Sequence, residues 1–465
     1  MRLLLSCLFA VALLKPAALA QRGPATGPLR ALTSNPRWFT DGSGKAVYLT
    51  GSHTWNNFQD TGHRLPTSAD PAPRFDFTGY LEFLVRHNHN FIRLWRWEAP
   101  KWTDRQPEGM VKYCEPHPWV RTGPGMAQDG KAKFDLTRFS PEYFNRMRSR
   151  IVAARDRGIY VSVMLFEGWE MQMTDAWNWH PFHGPNNVNE VEADANGDGK
   201  GIEYNMLADT PMGKKVLELE EAYVRKVIDS VNDMDNVLYE IANEAVGDST
   251  GWQYYMIRFI KDYESRKPKQ HPVGMTFQYR GGSNKILYES PADWISPNPG
   301  EPSESYRENP SSTATSKVVL NDTDHLWGHT GGDDVWVWKS FCRGLNVLFM
   351  EELLPSPTWQ DSARRGMGQT RRCAERMDLA AMVPMNNLSQ TGYCLANPGK
   401  EYLVFQPGNK GEFTVNLKDA AGTFTVEWLD VYADRVVPGK AVEGGGARTF
   451  TTPFAGPAAL YLKLR

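Results

Sequence analysis

Eight apolar runs recur along the first three quarters of the chain: AVYLTGSHTW (46–55), NFIRLWRWE (90–98), YVSVMLFEG (160–168), NVLYEIANE (236–244), PVGMTFQY (272–279), DWISPNP (293–299), KVVLNDTDHLW (317–327) and NVLFMEE (346–352). Between several of them the apolar positions switch to a helical period. Residues 77–87 put Tyr80, Leu81, Leu84 and Val85 on one face, and 141–157 follow Ser140, a candidate cap, and stop at Gly158. Segments 214–231, 252–265 and 360–382 keep the same period. Near-continuous apolar strands that alternate with helices predict a parallel sheet covered on both faces. Eight such units predict an α/β fold, a (β/α)8 TIM barrel over residues 33–384. The fifth and sixth units are the weakest, with short proline-rich linkers. A doubly wound open sheet is the alternative, but it calls for a glycine-rich turn after its first strand, and TGSHTW is a poor one.

Past Pro384 the texture changes. Short alternating runs at 402–405, 411–417, 423–430, 448–452 and 458–464 are separated by glycine and proline turns. They predict a small C-terminal antiparallel β-sandwich over 396–465.

The first twenty residues, MRLLLSCLFAVALLKPAALA, combine a basic start, an apolar stretch of about twelve residues and a small-x-small end. That is the pattern of an export signal over 1–20 cleaved after Ala20, and the expected location is secreted or periplasmic. The stretch falls short of the roughly twenty residues of a membrane span; an N-terminal anchor is the alternative. No later segment is apolar enough to span. Cys114, Cys342, Cys373 and Cys394 follow the signal, so an oxidising compartment allows two disulfides in three pairings, or four reduced, buried thiols. The formal charge of −2 carries no basic footprint for nucleic acid.

Polar chemistry collects at the C-terminal ends of the runs, where a barrel of this kind holds its active site. His53 and Trp55 end the first run, and Arg93, Trp95, Trp97 and Glu98 the second. Glu167 ends the third, Asn243 and Glu244 the fourth, Asp322, Asp324, His325 and Trp327 the seventh, and Glu351 with Glu352 the eighth. A single carboxylate in such a place is commonly a cap or an ion pair; acids and aromatics together on several strand ends are a stronger pattern. Paired carboxyls suit hydrolysis of a glycosidic bond, one protonating the leaving oxygen while the other attacks carbon or activates water. Tryptophan offers apolar area to the C–H faces of sugars. Fifteen of the sixteen tryptophans fall between Trp38 and Trp359, and Trp55, Trp95, Trp97, Trp169 and Trp327 lie at or just beyond these ends. Trp177 and Trp179 sit in the loop after the third run, within reach of a sugar subsite, whereas Trp38, Trp336 and Trp338 read as core.

NVLYEIANE resembles the fourth-strand signature of clan A glycoside hydrolases. The resemblance implies Glu244 as general acid/base, Asn243 as a ligand of the sugar hydroxyl beside the reacting carbon, and Arg93 of NFIRLW as the arginine that holds the nucleophile. The clan carries a glutamate nucleophile on strand seven; this chain offers Asp322 and Asp324 there, with Glu351 and Glu352 in reserve. Over most of 33–465 the chain resembles apiosidase-like barrels with a C-terminal domain of the kind named for collagen binding. RWFTDGSGKAVYLTGSHTW, YLEFLVRHNHNFIRLW, the Asn-Glu strand and PFAGPAALYLKLR carry that likeness.

A second signal is DANGDGKGIE at 194–203, the first half of a calcium loop. Asp194, Asn196, Asp198 and Lys200 occupy alternate positions with Gly199 at the sharp turn, but the closing acid, Glu203, comes at position ten where an EF-hand has it at twelve. The expectation is a structural Ca2+ and no organic cofactor; a turn rich in Asn, Asp and Gly is the alternative. Taken together, the expected activity is hydrolysis of a carbohydrate substrate, with retention. The competing expectations are a non-catalytic glycan-binding or adhesion protein on the same scaffold, and a polysaccharide lyase using Arg93, His53 and His325.

Overall fold

The computed structural model describes residues 23–65, 71–300, 305–311, 317–329, 331–353, 358–408 and 411–465. The signal-like segment 1–20 lies outside the described residues. Eight parallel strands form the barrel, in order Thr50–His53, Phe91–Leu94, Tyr160–Glu167, Val237–Asn243, Val273–Thr276, Trp294–Ser296, Val318–Asp322 and Asn346–Met350. Neighbours pair in parallel register from the second strand round to the eighth, and the eighth pairs with the first. The seam between the first two strands is closed by Asn90. Its backbone N–H donates to Thr50 O at 2.8 Å, and its side-chain oxygen accepts from Thr50 N at 2.9 Å.

All eight strands fall inside the predicted runs and are buried on both faces; seven are largely apolar, whereas the first, Thr50–His53, is polar and carried by its place in the barrel. The covering helices include Phe77–Arg86, Pro141–Arg155, Pro211–Val231, Thr250–Glu264, Asp334–Cys342 and Thr358–Arg376. Phe77–Arg86 shows how sequence sets such a helix: the Asp76 carboxylate caps it by accepting from Gly79 N, and Tyr80, Leu81 and Leu84 face inward. At the barrel floor Trp294 fills the interior against Gly274, where a Cβ would lie 1.9 Å from the indole. Leu29 and Phe39, from the segment that precedes the first strand, complete that floor.

Two findings bear on the site. The seventh run is not one strand: it stops at Asp322, whose carboxylate accepts from Asp324 N and starts a helical turn, Thr323–Trp327. The long segment after the second strand is not a plain loop. Lys101–Trp102 and Val111–Glu115 join Asp60–Arg64 in a three-stranded antiparallel sheet, and Trp119–Met126 pairs with Ala132–Phe139.

The C-terminal unit is antiparallel throughout and contains more strands than its sequence suggests. Val383–Pro384 and Cys394–Asn397 already belong to its main sheet, with Glu401–Gln406, Ala458–Leu464, Thr423–Asp430 and Arg435–Pro438 beyond them. Glu412–Asn416 pairs with Ala447–Thr451 in a second sheet. Trp38, Trp338 and Phe341 of the barrel pack on Leu403, Phe405 and Leu429 of this unit. Cys114, Cys342, Cys373 and Cys394 are all free thiols. Among the described residues no helix is long and apolar enough to cross a membrane.

Candidate active site

Arg93, on the second strand, is the centre of the polar layer inside the barrel's C-terminal end, and its side chain is 1% exposed. Its Nε and Nη2 donate to Glu240 at 2.9 and 2.6 Å, and Nη2 also donates to Asn243 Oδ1 at 2.7 Å. Nη1 reaches Asp322 Oδ2 at 3.2 Å and Asp324 Oδ2 at 3.0 Å. Every N–H of the guanidinium is thereby used. The second, fourth and seventh strands, with the helical turn that follows the seventh, converge on this one cation.

Asp322 and Asp324 differ in what surrounds them. Asp322 is fully buried: Oδ1 takes the Nε2–H of His53 at 2.9 Å and the N–H of Asp324 at 3.0 Å. Against the opposing effect of burial, His53 and then Arg93 hold its pKa below the ordinary carboxylate range. Asp324 lies on the helical turn and reaches the cavity, with Oδ1 free of any partner among the described residues. Burial, opposed by Arg93 and reinforced by Asp322, pushes its pKa up to about 6.

Glu244 follows the fourth strand directly and has φ +45°, left-handed backbone that a β-carbon disfavours. Its carbonyl is held by Gln172 Nε2 at 2.7 Å. Gly168 lets the end of the third strand press against Ala245; a Cβ there would stand 2.3 Å from the Ala245 Cα. The Glu244 carboxyl has no hydrogen-bond partner among the described residues, and burial, then Asp324 and Glu167, raise its pKa well above the ordinary value. Asn243 is fixed on both sides, accepting from Arg93 and donating to Glu167 Oε1 at 2.8 Å. His325 completes the ring, with Nδ1 2.6 Å from Ser296 Oγ and Nε2 3.3 Å from Asn243 Oδ1. Burial, then Arg93, lower its pKa, which keeps the imidazole neutral.

These groups open into a cavity of about 620 Å³. Two of its lining residues carry carboxyl groups, Glu244 and Asp324. Trp55, Trp95, Trp97, Trp169 and Trp327 line it with Asn243 and His325. Trp55, Trp169 and Trp327 are partly exposed, whereas Trp95 and Trp97 are 2% and 4% exposed and form the wall behind.

Other expected site residues lie outside this cavity. Glu351 is fully buried and locked to Arg364, with contacts of 2.7 and 2.5 Å, so it braces the eighth strand against the last barrel helix. Glu98 pairs with Arg96 at 3.0 Å and accepts from Glu167 N at 2.7 Å. Glu167 supports Asn243 from below, and burial pushes its pKa up to about 8. His53 acts on Asp322 and not on the cavity. Trp177 is core, stacked on His180 and tight against Gly201, and Trp179 lies beside Lys101. The cavity also contains Trp102, Arg105, Lys112, Phe277, Tyr279 and Arg307, which strand-end reasoning does not reach. The short strand-like run VKYCE at 111–115 is the one sequence signal that could have led to Lys112.

In the 194–203 loop, carboxylate oxygens of Asp194, Asp198 and Glu203 lie within 4.8 Å of one another, a spacing one hard cation spans. Both Asp194 oxygens accept backbone N–H groups, from Gly197 and Gly199, while Asn196 Nδ2 contacts Glu203. The side chain of Lys200 is itself a cation, so only the backbone carbonyl of that residue is open to a metal. The donor set fits calcium.

Residues 90–287 match a family model described as a domain of unknown function (DUF6298). No curated protein matches the chain. Among solved structures, one of a putative glycoside hydrolase from Bacteroides vulgatus is similar over 94% of this chain and 82% of its own, at 14% identity and a TM-score of 0.61. A glycoside hydrolase family 5 structure from the same organism covers 94% of both chains at 12% identity and a TM-score of 0.59. A third, described as a glycoside hydrolase, covers 94% of this chain and 97% of its own at 14% identity and a TM-score of 0.57. The chain shares their fold, a (β/α)8 barrel followed by an antiparallel β-sandwich.

Proposed function

We propose that the protein is a retaining glycoside hydrolase in which Glu244 is the general acid/base and Asp324 the nucleophile. One observation carries this reading: of the many carboxyls in the barrel mouth, Glu244 and Asp324 are the two among the described residues that line the cavity, and tryptophans surround them. The fold likeness to glycoside hydrolases supports it.

The residues divide the chemistry as follows. Glu244, with a raised pKa, gives its proton to the glycosidic oxygen as the C–O bond breaks. Asp324, kept in place by one oxygen on Arg93, attacks the anomeric carbon with the other and forms a glycosyl ester. Glu244, now a carboxylate, takes a proton from water as that water displaces Asp324. The negative charge of Asp324 adds to burial in holding the proton on Glu244. Asp322 is the weaker choice for nucleophile, because its oxygens are consumed by His53, Arg93 and the cap.

Glu244→Gln tests the assignment: loss of glycan cleavage across a polysaccharide panel, with unfolding unchanged, is the expected result. Wild-type turnover in that variant would remove Glu244 from the mechanism. We propose in addition that the 194–203 loop binds a structural calcium. Its role follows from position: Gly201 packs on Trp177, which stacks on His180, and His180 contacts Glu98 beneath the site.

A further inference from the structure

The cavity lining carries cations that the proposed hydrolysis does not use. Lys112, Arg105 and Arg307 all line it, and among the described residues none of the three has a carboxylate partner. Lys112 is the most enclosed. It stands in the strand Val111–Glu115, directly across from Trp102 on one neighbour and His63 on the other. Residues directly opposite in an antiparallel sheet share a face, so His63, Lys112 and Trp102 form one row.

The Lys112 ammonium lies 4.4 Å from the centroid of the Trp97 ring and 5.0 Å from that of Trp102. Ring faces attract a cation but bring it no counter-charge. No side-chain or backbone oxygen among the described residues accepts from it, and burial lowers its pKa. A partly buried ammonium without an anion is unfavourably placed, and a ligand anion relieves that. At the mouth, Arg105 lies 5.6 Å from the Trp169 ring with Nε on Met173 O, and Arg307 lies 5.8 Å from Trp327 with Nε on Leu326 O. Their Nη groups have no partner among the described residues. Three cations with no paired acid, in one cavity of sugar-sized volume, select by charge.

We propose that the cavity takes an acidic glycan, whose carboxylate or sulfate group sits on Lys112 while Arg105 and Arg307 draw the chain in at the mouth. This rests on the glycoside hydrolase reading for its ligand class. It concerns a different part of the site from Glu244 and Asp324.

Calorimetric titration of the Glu244→Gln protein separates binding from turnover. The probes are oligogalacturonate, oligoglucuronate, a sulfated galactan oligomer, and neutral galactan and glucan oligomers of equal length. The expected result is that an acidic oligomer binds at least about tenfold more tightly than the neutral ones, and less tightly as salt is raised. Lys112→Gln in the same background loses that preference, and Lys112→Arg, which restores the charge, keeps it. Binding of uronates alone assigns a carboxylate, and binding of the sulfated oligomer alone assigns a sulfate ester. Equal affinity for neutral oligomers, no binding of any acidic one, or an undiminished preference in folded Lys112→Gln protein overturns the proposal. Turnover by the wild type distinguishes the two readings. A protein that binds acidic glycans and cleaves no glycan contradicts the hydrolase assignment alone, whereas one that cleaves neutral glycans only contradicts the acidic ligand alone.

Discussion

Replacing Arg93 by methionine removes the one cation that Glu240, Asp322 and Asp324 share, while keeping the volume of the side-chain stem. The guanidinium is 1% exposed, so solvent does not screen what is lost. Removing one partner of a buried ion pair costs about 3–5 kcal/mol, because the other charge stays behind uncompensated. Three carboxyls share this cation, so the upper end of that range applies at alkaline pH. The acids left behind respond by binding protons. At Asp324, where burial already raises the pKa against Arg93, loss of the guanidinium raises it further above the unfolded value, so the protonated fold is favoured at low pH and loses stability as pH rises through the raised value. Each such group changes stability by about 1.4 kcal/mol per pH unit in that interval. The destabilisation by Arg93→Met is therefore larger at pH 8 than at pH 5. Urea unfolding followed by tryptophan fluorescence, on both proteins at both pH values, measures it; fifteen tryptophans lie in the barrel segment. An equal loss at pH 5 and pH 8 would mean that Arg93 contributes packing and not charge, and a variant as stable as wild type would refute the reasoning outright.

Two more predictions concern pH and metal. Asp324 must be ionised to attack, and its pKa is pushed up to about 6, so kcat/KM should fall below that pH by about tenfold per unit. An acid limb near pH 4, the ordinary aspartate range, would exclude Asp324 as the titrating nucleophile. For the 194–203 loop, calcium should raise the unfolding temperature of the wild type and leave Asp198→Ala unmoved; an equal response in both proteins places any calcium effect elsewhere.

The barrel was legible in the chain because most of its strands are largely apolar, a signal that survives without knowledge of partners. The position of Glu244 at the barrel mouth was legible for a similar reason, standing at the end of such a run beside Asn243. Which of Asp322 and Asp324 reaches the cavity was not. It depends on where the strand stops, and the stop is made by a cap, Asp322 Oδ1 to Asp324 N, inside a run whose residue types suit strand and helix alike. Glu351 looked equivalent to Glu244 by position, but its partner, Arg364, lies thirteen residues onward on a helix, and that pairing decides its role. Lys112 was hidden for the opposite reason: it lies in a segment without long periodicity, and its neighbours Trp102 and His63 are brought beside it by strand pairing. Trp177 seemed free to reach a sugar because it lies in a long loop, yet that loop folds back and buries it.

The proposed mechanism requires that one particular carboxyl, that of Asp324, becomes bonded to sugar. Incubating the protein with activated 2-deoxy-2-fluoro glycosides, which form the glycosyl ester and release it slowly, followed by proteolysis and mass spectrometry, locates that bond. A glycosyl group on Asp324, accumulating in the wild type and absent in Asp324→Asn, is the result predicted here. Label on Asp322 or Glu351, or hydrolysis that inverts the anomeric centre and leaves no label, would contradict it.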